Sequence, residues 1–127
     1  MAYGSFEELE VWQKACALVV RVYEVLENCR DFGLKDQMTR SAVSIASNIA
    51  EGAERGSTPD FIRFLHMSKG SAAELRTQVY ISCKINLISG QTQKELTGEL
   101  ISISKMIHAL IKSLKPKNLK PKTKPNT

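Results

Sequence analysis

Apolar residues recur along this chain at intervals of three and four, the period of an amphipathic helix, and no stretch keeps the alternation of a strand. Four segments carry the pattern. The first is predicted to begin at Ser5, where "SFEE" places Glu8 three residues after a capping serine, and to run to about Asn28. Its charged residues Glu10, Lys14, Arg21 and Glu24 share one narrow sector with Ala17 and Asn28, while apolar residues cover well over half the circumference. A surface helix needs an apolar stripe of only about 100° to face its own core. The excess, with Trp12, Cys16, Val19, Val20 and Tyr23 in it, is more than one chain can use and marks an expected subunit interface.

Gly33 breaks the pattern, and a second helix is expected from about Leu34 to Arg55, with Leu34, Met38, Ala42, Ile45 and Ile49 on its core side. Gly56 should close it in a left-handed conformation. "STPD" at 57–60 then opens a third helix with a capping side chain, a proline in the first turn and an acid near the positive helix end. That helix, about Pro59 to Ile88, repeats Phe61, Leu65, Ser68, Ala72, Leu75, Val79 and Cys83. Its centre is small (Ser68, Gly70, Ser71, Ala72, Ala73) and should admit a close neighbour. A fourth helix follows Ser89 and Gly90, with "TQKE" at 92–95 as a second capping box. Leu96, Leu100, Ile103, Ile107, Leu110 and Leu114 form a heptad seam, the pattern that packs helices at about +20°. Short connections imply antiparallel neighbours. The expected fold is all-α: an up-down-up-down antiparallel four-helix bundle over residues 1–114.

Composition changes this picture at one end only. The net charge of +5 suggests nucleic acid, but Lys115, Lys117, Lys120, Lys122 and Lys124 supply it from the tail "KPKNLKPKTKPNT", which contains no acid. The remaining 13 basic residues match the 13 acidic ones, so the body is neutral. Alternating Lys and Pro cannot bury apolar surface, so residues 115–127 should be disordered, serving either solubility or contact with a nucleic acid. Three cysteines, Cys16, Cys29 and Cys83, without a CxxC pair, fit neither a disulfide framework nor a zinc site and read as buried thiols. No signal peptide or membrane span is expected, and a reducing cytoplasm is the simplest location.

The second helix also carries a polar stripe, Arg40, Ser44, Asn48 and Glu51, at spacings of four, four and three. An enzyme would use Ser44 as nucleophile, Glu51 as acid or base and Arg40 as an anion clamp, but it would lack a base. His66 and His108 are the only histidines, and neither stands at a recognisable spacing from a serine. No HxxxH or ExxH pair offers a metal site, so neither metal nor cofactor is expected. The better reading is structural, with Arg40 meeting Glu51 or Glu74 while Ser44 and Asn48 bridge helices or subunits.

"FEELEVWQKA" at 6–15, "GLKDQMTRSAVSIASNIAEGAERGS" at 33–57 and "FIRFLHMSKGSAAELRTQ" at 61–78 resemble the bacterial four-helix-bundle family first noticed in proteins encoded by intervening sequences of large-subunit ribosomal RNA genes. That family is also described as ribosomal-protein-like. The likeness spans roughly residues 5–112. It implies a closed homopentameric ring and an association with RNA. A structural relative is the accessory protein of diversity-generating retroelements, a basic pentameric barrel that binds reverse transcriptase and nucleic acid; the neutral body here departs from it. Ala46 stands where the family usually has proline and should leave the second helix straighter; Ser68 stands where alanine is common.

Two functions follow as expectations, both non-catalytic. One is a ring associated with RNA or DNA through backbone contacts, using a positive face of Arg21, Arg63, Arg76 and Lys84 or the tail lysines. The other is an adaptor ring that holds a protein partner; Trp12 and Tyr80 could anchor it, although core or subunit packing is the favoured use of both.

Overall fold

A computed structural model describes residues 4–116, and four helices account for most of them: α1 (Glu10–Val25), α2 (Phe32–Glu54), α3 (Thr58–Lys84) and α4 (Gly90–Leu114). Among the described residues there is no strand. Each helix packs against its neighbours in sequence, and α1 closes the arrangement against α4. The pairings run antiparallel. Met38, Ile45 and Gly52 of α2 meet Ser82, Ser68 and Phe61 of α3, so residue numbers rise on one side as they fall on the other. Residues 1–3 and 117–127, including Lys117, Lys120, Lys122 and Lys124, lie outside the described residues.

Three helices begin where a side chain takes up a free amide. Asp31 accepts from the Leu34 N–H at 3.0 Å, Ser57 from Asp60 at 3.3 Å and Ser89 from Thr92 at 3.0 Å. The expected caps differ at three starts. At the first, "SFEE" closes only a single 3-10 turn, Phe6–Glu8; Glu8 accepts from the Gly4 N–H rather than from Ser5, and α1 starts afresh after the extended Leu9. At the second, Gly33 does not precede α2 but sits in its first turn, where amides need no intrahelical partner. At the fourth, Ser89 displaces Thr92 as the cap, so α4 begins before "TQKE" and Glu95 is free for another role.

The helix ends are set by local geometry in the same way. α1 stops at Val25, not Asn28, as the chain tightens into a turn at Leu26. α3 stops at Lys84, short of Ile88, because Asn86 adopts a left-handed φ of 64°. The Leu87 and Asn86 amides then return to the carbonyls of Ser82 and Cys83 at 2.8 and 3.0 Å, the paired bonds of a Schellman ending. Gly56 takes the expected left-handed conformation, φ 88°, after α2.

Leu18 and Val22 of α1, Ile45 and Ile49 of α2, Leu65 and Leu75 of α3 and Leu100 and Ile107 of α4 form the centre of the core. On α4 the buried series is Leu96, Leu100, Ile103, Ile107 and Ile111, with Leu110 and Leu114 only partly buried. The expected seam therefore shifts by one residue in its last turn. A straight helix drifts about 20° per heptad from a strict seven-residue repeat, and over this length the drift brings Ile111 inward in place of Leu110.

Candidate functional site

The polar stripe of α2 divides into residues that face α3 and residues that do not. Ser44 and Ser71 hydroxyls lie 2.8 Å apart across the α2–α3 seam. Asn48 reaches back along its own helix and donates to both the Ser44 carbonyl and the Ser44 hydroxyl at 2.9 Å, which orients that hydroxyl toward Ser71. One turn away, the fully buried Ser68 donates to the Ile45 carbonyl at 2.7 Å. The outer two residues take no part. Arg40 pairs with Asp36 at 2.9 Å, not with Glu51 or Glu74, and Glu51 approaches Arg55 at 3.7 Å. Glu74 is exposed on α3. On helix geometry, i,i+4 neighbours on the same surface reach one another more easily than residues further apart along the helix or on another one.

Gly52 completes the seam. A Cβ there would lie 2.7 Å from Phe64 Cβ and 3.1 Å from a Phe61 ring carbon, so the bare backbone is what lets α2 and α3 meet at this level. Sequence reasoning passed over Gly52 and treated Ser71 only as a small residue. Small or short polar residues at every fourth place, Ser44, Asn48 and Gly52, were the available sign, matched by Ser68, Ser71 and Ala72 on α3. Gly70 and Ala73, expected in the same contact, are exposed on its outer side. Among the described residues, no three His, Cys, Asp or Glu side chains are grouped to hold a metal ion. No helix there is long and apolar enough to cross a membrane.

A different surface gathers the apolar excess of α1. Trp12, Cys16 and Val19 are half-buried and line an open hollow of about 420 Å³ with Phe6 and with Val43 and Ala46 of α2. Phe6 stands edge-on to Trp12, ring centres 5.2 Å apart. Ala46 fills its place in an uninterrupted α2. On the outer part of the same face, Val20 and Tyr23 are 58% and 51% exposed. Burial pushes the Cys16 thiol above its usual pKa, which keeps it protonated and poorly reactive at neutral pH.

The basic residues expected to share one face are dispersed. Arg21 is tied to Glu95 of α4 at 2.9 Å. Arg63, near the start of α3, meets Asp60 at 3.4 Å and lies over the Phe64 ring, which Arg55 covers from 5.1 Å. Lys84 stands 21 residues further along the same helix, roughly 30 Å away at 1.5 Å per residue. Those three cannot form one patch on a single chain. Arg76 has other company, lining a groove between α3 and α4 with Lys69, Lys105 and His108. Lys115 is exposed just past the end of α4, and Tyr80 is 44% exposed on α3.

Comparison with known proteins agrees with these four helices. The 23S rRNA-intervening sequence protein family model matches residues 7–109. A crystal structure from Bacteroides thetaiotaomicron, of a protein with unknown function from the S23 ribosomal protein family, is similar with a TM-score of 0.76 at 25% identity, over 80% of this chain and 98% of that one. No functionally curated protein matches. With the fold shared and the family pattern running from the turn before α1 almost to the end of α4, the chain belongs to the 23S rRNA-intervening sequence protein family.

Proposed function

We propose that this protein is a non-catalytic, self-associating bundle that closes into a homo-oligomeric, pentameric ring and associates with RNA through contacts to the phosphate backbone. The observation that carries the self-association is the apolar face of α1, where Val20 and Tyr23 stand exposed beside the hollow lined by Trp12, Cys16 and Val19. Its partner need not be the same face, and a repeated contact between unlike surfaces closes into a ring when its rotation allows. The RNA reading draws its support from the family, whose members are named for intervening sequences of 23S rRNA. The non-catalytic reading is supported by Ser44, whose hydroxyl is occupied by Asn48 and Ser71, and by Arg40 and Glu51, which pair locally on the outside of α2. The cytoplasm, where RNA is met, is the compartment that fits.

Light scattering at micromolar concentration tests the ring: a mass near five times 14.1 kDa is expected, and a monomer mass would overturn it. Titration of RNA and DNA into the full chain over a salt series tests the second half. Backbone contacts predict affinity that falls steeply with salt and little preference for sequence. If no nucleic acid binds at low salt, the ring is better read as an adaptor for a protein.

A further inference from the structure

The charges of α4 are sorted onto different faces. Glu95 and Glu99 turn toward α1, where Glu95 meets Arg21 and Glu99 lines a hollow with Lys14. Lys94, Lys105 and Lys112, spaced by eleven and seven residues, share another exposed face of α4, and Lys105 reaches the groove beside α3. α3 answers with Lys69, Arg76 and Lys84, spaced by seven and eight. Its own acids lie elsewhere: Asp60 is held by Arg55 and Arg63, and Glu74, two residues before Arg76, sits about 160° around the helix from it. Where the rows meet, Lys69, Arg76, Ile101, Ser104, Lys105 and His108 line an open groove of about 330 Å³. Among the described residues no acid lines the groove, and none of its cations is engaged in an ion pair.

Like charges gathered in this way repel one another, and an anionic partner relieves the repulsion. We infer that the α3–α4 groove is the site at which the protein takes a single strand of nucleic acid along its phosphodiester backbone. The inference rests on the nucleic-acid reading above and gives it a place that differs from the face expected from sequence. A small anion suits the groove poorly, because its lining cations Lys69, Arg76 and Lys105 lie at mid-helix positions with no free backbone amides to cradle a phosphate. The positive row of α3 extends instead beyond the groove to Lys84 at the end of the helix, about 22 Å from Lys69, the dimension of several nucleotides. A duplex suits it poorly too, since a trough between helices packed about 8–10 Å apart receives one row of phosphates. Two apolar groups complete the surface. Ile101 is 37% exposed within the groove, and Tyr80 lies one turn from both Arg76 and Lys84 on the same helix face, where a base can stack on its ring.

The experiment uses the full chain and its binding to oligouridylate and oligothymidylate of about 30 nucleotides and to a duplex of the same length, each over a salt series. The groove variant is Lys69→Glu with Lys105→Glu. Two controls accompany it: Lys14→Glu with Lys35→Glu, which makes the same change in net charge on other faces, and glutamine at Lys117, Lys120, Lys122 and Lys124. All substituted sites are exposed or half-exposed or lie in the tail, and circular dichroism checks that each variant is folded. The groove variant should bind single strands at least about tenfold more weakly than the charge-matched control. Its salt dependence should be shallower, by about 0.7 in log–log slope for each phosphate that it no longer neutralises. Tyr80→Ala should weaken binding about fivefold at a salt concentration where Tyr80→Phe does not. Equal uridylate and thymidylate affinities would indicate backbone recognition, and a uridylate preference would add contacts to the 2′-hydroxyl. The inference is overturned if the groove variant binds like its control, if only the tail variant loses binding, or if the duplex binds as tightly as the single strands. If the unaltered chain binds no nucleic acid at all, the functional reading itself fails, and the groove assignment with it.

Discussion

Asn48 is a small residue with a specific structural task, and the physical chemistry of its amide accounts for that task. By donating twice to Ser44, it holds the hydroxyl that reaches Ser71, so a bond inside α2 prepares a bond between α2 and α3. Asn48→Ala is expected to destabilise the fold by about 1–2 kcal/mol, the range for removing hydrogen bonds from a partly buried site. Glu51→Ala, three residues on, should change stability by no more than about 0.5 kcal/mol because its approach to Arg55 is long and exposed. Chemical denaturation of the two variants makes the comparison, and equal effects would contradict the assignment. Residue types and spacing were enough to single out this stripe. Which members work together was not legible, because it depends on whether each side chain finds its nearest partner along its own helix or across the seam.

The α2–α3 seam is the most extensive contact between helices, and at this scale two glycines have opposite meanings. Gly52→Ala would force a Cβ against Phe64 Cβ and the backbone oxygen of Phe61, neither of which is a flexible chain end. Thermal and denaturant unfolding should report a destabilisation of about 1–3 kcal/mol, the usual cost of overpacking. Gly70→Ala, on the exposed side of α3 with nothing within 4 Å, should instead raise stability by about 0.5–1 kcal/mol through helix propensity. At the other side of the bundle, α1 and α4 are tied by Glu95. Hydrogen bonds from Gln91 and then Arg21 hold its carboxyl below the ordinary value of 4.5. A lowered folded value means the stabilising contribution is complete above the unfolded value and is lost as pH falls through the folded one. An NMR titration should place its midpoint below 4.5, and Gln91→Ala or Arg21→Gln should move it back up. An unshifted midpoint in the unaltered chain would remove this tie.

For the whole molecule, what matters is where the surfaces that the core leaves over are placed. α1 has apolar residues around more of its circumference than its two neighbouring helices, α2 and α4, cover, so Val20 and Tyr23 remain in solvent. Val20→Glu should leave the helical content and unfolding of a single chain nearly unchanged while lowering the native mass in light scattering. An unchanged mass would move the self-association surface to another face. Charge is distributed by position in the same way. The body has equal numbers of basic and acidic residues, yet the bundle sends Lys94 and Glu95, adjacent in sequence, to different flanks of α4. Counting charges along the chain averages over such pairs; only the rotation of each helix about its axis separates them.

Periodicity by itself determined the four helices, their order and most of their core. Of the series expected from spacing, Phe61, Leu65, Ser68, Ala72, Leu75 and Val79 are buried, and Cys83 at its end is only half-buried. A 3.6-residue repeat is written directly in the order of residue types, and burial of the repeated face follows from the hydrophobic effect. The helix ends depended on competition between nearby caps: Ser89 against Thr92, or Asn86 against the continuation to Ile88. The tertiary structure alone decided that Gly52 lies in the seam and Gly70 does not. It also decided that Ser44 meets Ser71, and that Lys69 and Arg76 stand opposite Lys105 and His108. Each of these depends on the axial rotation and register of one helix against another, which side chains far apart in the chain settle together.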